Sequence, residues 1–145
     1  MRYISTRRGL NTPTRSFSDI LLEGLAPDGG LYLPEEYPTL SQSDLEELRI
    51  VLREDGYAAM AAGILSLFID DIPADDLSAL TARAYRTPSF SDPQIVPVDA
   101  LEGTGLHLAH LSGGPTAAFK DMAMQLLGEL FEYELTRQRD RKSVV

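Results

Sequence analysis

This sequence predicts an α/β chain, mainly helical over residues 1–90 and turning over residues 91–145 to the first strands and long helix of an α/β domain. Three observations carry that reading. Apolar residues recur at helical spacing in separate stretches from Phe17 to Tyr85. Two β-patterned runs, Ile95–Val98 and Leu106–Leu111, follow a loop of serine, threonine and proline at Thr87–Pro93. A glycine- and proline-containing turn at Ser112–Pro115 then opens a helical pattern from Asp121 to about Arg139.

Taken in order, residues 2–6 suit a short strand with Tyr3 and Ser5 on one face and Ile4 and Thr6 on the other. Ser16-Phe17-Ser18-Asp19 is a capping-box helix start, and Phe17, Ile20, Leu21 and Leu25 follow on one helical face. Pro27-Asp28-Gly29-Gly30 has the chemistry of a turn, and Leu31-Tyr32-Leu33 a brief strand ended by Pro34. Ser43-Asp44-Leu45-Glu46 predicts a second capped helix with Leu45, Leu48 and Leu52 inward. Tyr57–Ile69 carries Met60, Ile64, Leu67 and Phe68 on one face and stops before Pro73. Asp75 and Asp76 favour the N-terminus of a further helix with Leu77, Leu80, Ala84 and Tyr85 inward. Pro97 marks the Ile95–Val98 strand as an edge. Arg137–Lys142 reads as a solvated, cationic helix end, and Lys142-Ser143-Val144-Val145 as the opening of a buried strand.

Composition narrows the function. A net charge of −9 argues against nucleic acid as a partner, because a phosphate backbone calls for a basic footprint. No apolar run approaches the roughly 20 residues that span a bilayer. Met1-Arg2-Tyr3 leads straight into patterned sequence with no apolar signal segment, which fits a cytoplasmic location. With no cysteine, disulfides and thiolate chemistry are excluded. His107 and His110 point to opposite faces of one strand and cannot chelate an ion together. Asp70, Asp71, Asp75 and Asp76 lack the spacing and glycine of a calcium loop, so no metal is expected. Gly103 and Gly105 do not make a phosphate-binding fingerprint.

The chemistry concentrates in Ser112-Gly113-Gly114-Pro115-Thr116-Ala117-Ala118-Phe119-Lys120-Asp121. This turn delivers a lysine to the start of an apolar helix. At about 100° per residue Lys120 shares a face with Met124, Leu127 and Phe131, which predicts burial. A desolvated amine loses its proton more readily and becomes nucleophilic enough to condense with a carbonyl. On the local pattern alone, the alternative is an ammonium that reaches out to solvent.

Several blocks together resemble one family. They are Met1–Arg7, Ser16–Pro34, Leu67–Pro73, Gly114–Asp121 and Gln125–Tyr133, and in order and spacing they resemble the N-terminal portion of bacterial threonine synthases. The resemblance implies a pyridoxal-phosphate (PLP) enzyme of fold type II, like the β-subunit of tryptophan synthase. It implies conversion of O-phosphohomoserine and water to threonine and phosphate. Lys120 would carry the cofactor as a Schiff base and shuttle protons. Phe119 would pack near the cofactor ring. Thr116 would either cap the helix or donate to a substrate phosphate. Arg7, in Ser5-Thr6-Arg7, or the additional Arg8 before Gly9, would bind phosphate through its guanidinium fork. The family commonly has leucine where this chain has Ala117, which implies a looser wall beside the lysine. The division implied is a helical N-terminal domain over 1–90 and the beginning of a PLP-binding domain over 91–145, incomplete at Val145. The family's cofactor-phosphate loop is expected beyond that point, so little or no turnover is expected of these residues alone. The competing expectation is a non-catalytic helical interaction or structural module.

Overall fold

The computed structural model describes residues 1–7 and 13–143, with side chains up to residue 139. Arg8, Gly9, Val144 and Val145 lie outside the described residues. The elements run β1 (Tyr3–Ser5), α1 (Phe17–Glu23), β2 (Tyr32–Pro34), α2 (Gln42–Glu54), α3 (Tyr57–Ser66), α4 (Ala74–Ala84), β3 (Val98–Leu101), β4 (Leu106–Ala109) and α5 (Asp121–Ser143).

β1 pairs antiparallel with β2, Tyr3 opposite Pro34 and Ser5 opposite Tyr32. Its alternation holds: Tyr3 and Ser5 are both buried. Ser16 caps α1 with a reciprocal box to Asp19, as the S-x-x-D pattern predicts. Leu25, expected on the inner face of α1, lies past Gly24 and is 58% exposed, because the helix ends at Glu23.

α2 departs from expectation. Its cap is Ser41 rather than Ser43, since the Ser41 side chain accepts the Asp44 N–H while Asp44 accepts from the Ser41 backbone. Its expected inner face is not buried. Leu45 and Leu52 are exposed, and no α2 residue is fully buried, because the helix packs chiefly on α3 alone.

α4 forms the centre. It packs against α3 on one side and α5 on the other. Leu77, Leu80 and Ala84 are buried as their spacing predicts, joined by Ile69, Ile72, Leu126 and Leu130. Burying each such aliphatic side chain is worth about 1.5–3 kcal/mol, so this one contiguous cluster dominates the packing.

α5 presents the Leu126 and Leu130 face to that core, not the face shared by Lys120. The helix carries two apolar stripes. Met124, Phe131 and Leu135 form the second, on roughly the opposite side, and are 45%, 36% and 48% exposed. Periodicity identifies both stripes and cannot rank them; the position of α4 does. α5 also runs on through Lys142 and Ser143, so the strand expected there is absent at those residues.

Arg137 is not a solvated helix end. Its guanidinium donates to the Asp71 carbonyl at 3.1 Å and to Ser18 Oγ at 3.3 Å, and pairs with buried Glu134. Asp71 in turn accepts the Ser18 N–H at 2.9 Å, satisfying an N-terminal donor of α1 from across the fold. Burial works to raise the Asp71 pKa, but hydrogen bonds from Ser18 and Ser16 outweigh it, and the carboxyl titrates below its usual range.

β3 and β4 form an antiparallel hairpin, Val98 opposite Ala109 and Leu101 opposite Leu106. The first strand falls three residues later than Ile95, because Ile95 takes a left-handed backbone (φ 65) and is buried at 3% exposure. Pro97 therefore lies before the strand, and its carbonyl accepts the His110 N–H at 3.0 Å. Every residue of both strands is exposed. Among the described residues no helix is long and apolar enough to cross a membrane, and no cluster of three metal-ligating side chains occurs.

Candidate active site

The lysine loop is built from both ends. At its start the Gly113 carbonyl accepts the Ser91 N–H at 2.9 Å, so the segment after α4 supports it. That segment is anchored by Phe90, which is 1% exposed and lies 6.1 Å, ring to ring, from Tyr85. At its end the Tyr85 hydroxyl donates to the Met122 carbonyl at 2.9 Å. Burial, with a smaller contribution from Tyr57, pushes the Tyr85 pKa up to about 12. α4 thus fixes where α5 begins.

Between these anchors run two successive turns. The Ala117 N–H donates to the Gly114 carbonyl and the Asp121 N–H to the Ala118 carbonyl, both at 3.0 Å. Asp121 is 3% exposed. Its carboxylate accepts the Thr116 N–H on one oxygen and the Thr116 hydroxyl on the other, both at 2.8 Å. A Cβ at Gly114 would stand 2.4 Å from Asp121 Cβ, so only glycine fits there. The glycine serves this close internal packing, with Asp121 occupying the space a ligand would need. Neither this clasp nor the Tyr85 and Ser91 anchors is visible in the sequence, where Asp121 reads only as the start of the helical pattern.

Lys120 is exposed, contrary to the burial its helical spacing predicts. The reason is the rotation of α5: its neighbours Met124 and Phe131 face away from α4. The Lys120 carbonyl accepts the Met124 N–H at 2.9 Å, so its backbone is held at the helix start. Phe119, beside it, is 70% exposed. The desolvation expected of Lys120 is therefore not supplied by the described residues.

Arg7 belongs to a second cluster. Ser5, 2% exposed, donates its hydroxyl to Asp28 Oδ1 at 2.7 Å, and the same oxygen accepts the Gly30 N–H at 2.9 Å. The Ser5 hydroxyl first, then the Gly30 N–H, hold the Asp28 carboxyl below its usual range. The Arg7 guanidinium donates to the Asp28 carbonyl at 3.2 Å. Thr116, Phe119 and Lys120 thus share one loop, while the hydrogen bonds of Arg7 hold it to the Asp28 turn.

Against this geometry, the family described as the threonine synthase N terminus matches residues 2–85. The chain belongs to that family. Over all 145 residues it is 61% identical to threonine synthase of Corynebacterium glutamicum, of which it covers 30%. It is 49% identical to threonine synthase of Methylobacillus glycogenes, again across the whole chain and 30% of the relative. Among solved structures it resembles PLP-bound threonine synthase from Brucella melitensis, with a TM-score of 0.82 and 39% identity over 95% of this chain and 28% of that one. The threonine synthase of Escherichia coli gives a TM-score of 0.76 at 26% identity, covering 93% of this chain and 28% of that one. The chain therefore spans under a third of the length of the threonine synthases it matches.

Proposed function

We propose that this chain forms the lysine-bearing N-terminal part of a PLP-dependent threonine synthase, which converts O-phosphohomoserine and water to threonine and phosphate in the cytoplasm. The observation that carries the reading is 61% identity with a threonine synthase along the entire chain, beside which this chain holds a lysine at the mouth of α5. Residues 1–90 would be its helical domain and residues 91–145 the first part of a fold-type-II PLP domain.

The residues fit the cofactor. Lys120 offers an exposed primary amine with no partner among the described residues, and the exposed Phe119 ring stands next to it in the chain. When bound, PLP supplies an electron sink for carbanions next to an amino acid's α-carbon. Lys120 would hold the cofactor's aldehyde carbon and, once released from it, carry protons at Nζ. Arg7 would meet the phosphate of the substrate through its guanidinium fork. Water exclusion falls to protein beyond the described residues, since Lys120 stands open among them. For the 145 residues alone, that exposure supports little or no turnover; the second reading is a non-catalytic helical interaction or structural module.

The test grafts this chain in place of the matching segment of the Corynebacterium glutamicum enzyme. Borohydride reduction with PLP and peptide mapping should add the pyridoxyl mass at Lys120, and the chimera should release phosphate from O-phosphohomoserine. Lys120→Arg should abolish both. Pyridoxyl mass scattered over other lysines, or phosphate release surviving Lys120→Arg, would refute the reading.

A further inference from the structure

Asp121 is a buried carboxylate whose two oxygens both turn to one residue, Thr116. A carboxylate taken out of water is costly unless it is hydrogen-bonded, and here the loop itself supplies the donors. Between the two ends of this clasp lie Ala117, Ala118, Phe119 and Lys120. Ala117 holds a left-handed backbone at φ 56, which an L-residue disfavours. Such a conformation persists only where its surroundings over-determine it, and the clasp spans it. Gly114 lies so close to the Asp121 side chain that a Cβ would be 2.6 Å from Oδ2.

We propose that Asp121 is the positioning residue of Lys120. It closes the loop on the N-terminal side of the lysine, while the first turn of α5 holds the other side through the Lys120 carbonyl. The backbone that aims Nζ is thereby fixed before any cofactor arrives. The hydroxyl proton of Thr116 is committed to Asp121, which makes Thr116 part of this clasp rather than a donor to substrate phosphate. The inference rests on Lys120 being the amine that takes the cofactor.

Two readouts test it. Hydrogen exchange at the Thr116 amide, measured on the 145-residue chain without cofactor, reports the clasp directly. Asp121→Ala and Gly114→Ala should each speed it by at least about tenfold, the loss expected for a hydrogen bond to a charged acceptor. Pyridoxyl incorporation at Lys120, measured in the chimera per folded molecule, reports positioning. Asp121→Ala and Thr116→Val should lower its rate by about tenfold, and Thr116→Ser, which keeps the hydroxyl, should restore it. Unchanged amide exchange in Asp121→Ala overturns the clasp. Incorporation at Lys120 that survives both Asp121→Ala and Thr116→Val overturns positioning while leaving the functional reading intact. No preference for Lys120 in the unsubstituted chimera overturns the functional reading and this inference with it. If Asp121→Ala fails to fold, the Thr116→Val and Thr116→Ser pair decides alone.

Discussion

Replacing Gly30 by alanine probes the packing that holds Arg7. A Cβ at position 30 would stand 2.1 Å from Ser5 Oγ and 3.0 Å from both Asp28 Oδ1 and Thr6 Oγ1. Relaxed contacts between heavy atoms lie near about 3.5 Å, so the first of these cannot be tolerated. Ser5 is 2% exposed and Gly30 is buried, which leaves neither room to retreat. Overpacking of this kind costs about 1–3 kcal/mol. At this size a kcal/mol moves the melting midpoint by roughly 4 °C, so Gly30→Ala should melt about 4–12 °C lower when followed by circular dichroism. Ser5→Ala removes the offending oxygen. In the Ser5→Ala background the same glycine substitution should therefore cost at least about 1 kcal/mol less than in the parent chain. Independent, additive effects of the two substitutions would refute the reasoning, because they would mean that Ser5 Oγ is not what the new Cβ meets. So would a Gly30→Ala protein that melts with the parent.

Leu80 is 0% exposed at the meeting of α4 and α5, and Leu80→Ala should cost about 2–5 kcal/mol in urea unfolding, whereas Ile50→Ala on α2 should stay within about 0.5 kcal/mol. Tyr85 makes stability depend on alkaline pH. Its folded pKa of about 12 lies above the ordinary value of 10.0, so the neutral phenol's contribution is complete below pH 10 and is lost as pH rises towards 12. Tyr85→Phe should reduce that slope in pH-dependent unfolding, leaving the part due to Tyr3, Tyr32, Tyr57 and Tyr133, whose pKa values are also raised. By releasing the Met122 carbonyl it should also cost about 1 kcal/mol at neutral pH.

Local chemistry made much of this chain legible. A serine three residues before an aspartate names the cap of α1, and the spacing of Leu77, Leu80 and Ala84 names the buried face of α4. The expected cap Ser43 gives way to Ser41, because an acidic residue stands three positions after each serine and only the backbone geometry selects the first. The Ile95 run resembles a strand by composition, yet a left-handed turn at that residue displaces the pairing to Val98.

At the candidate site, the sequence alone determined the elements, a turn, a lysine and a helix in that order; the carbonyl chemistry of Lys120 is what the family resemblance implies and what is proposed above. Only the tertiary structure decided which stripe of α5 faces inward, that Lys120 stands open, and that Asp121, Tyr85 and Ser91 hold its loop. Periodicity and capping act over one helical turn and are written in neighbouring residues. The rotation of a helix with two apolar faces, and the partners of a buried carboxylate, depend on what packs against them from elsewhere in the chain.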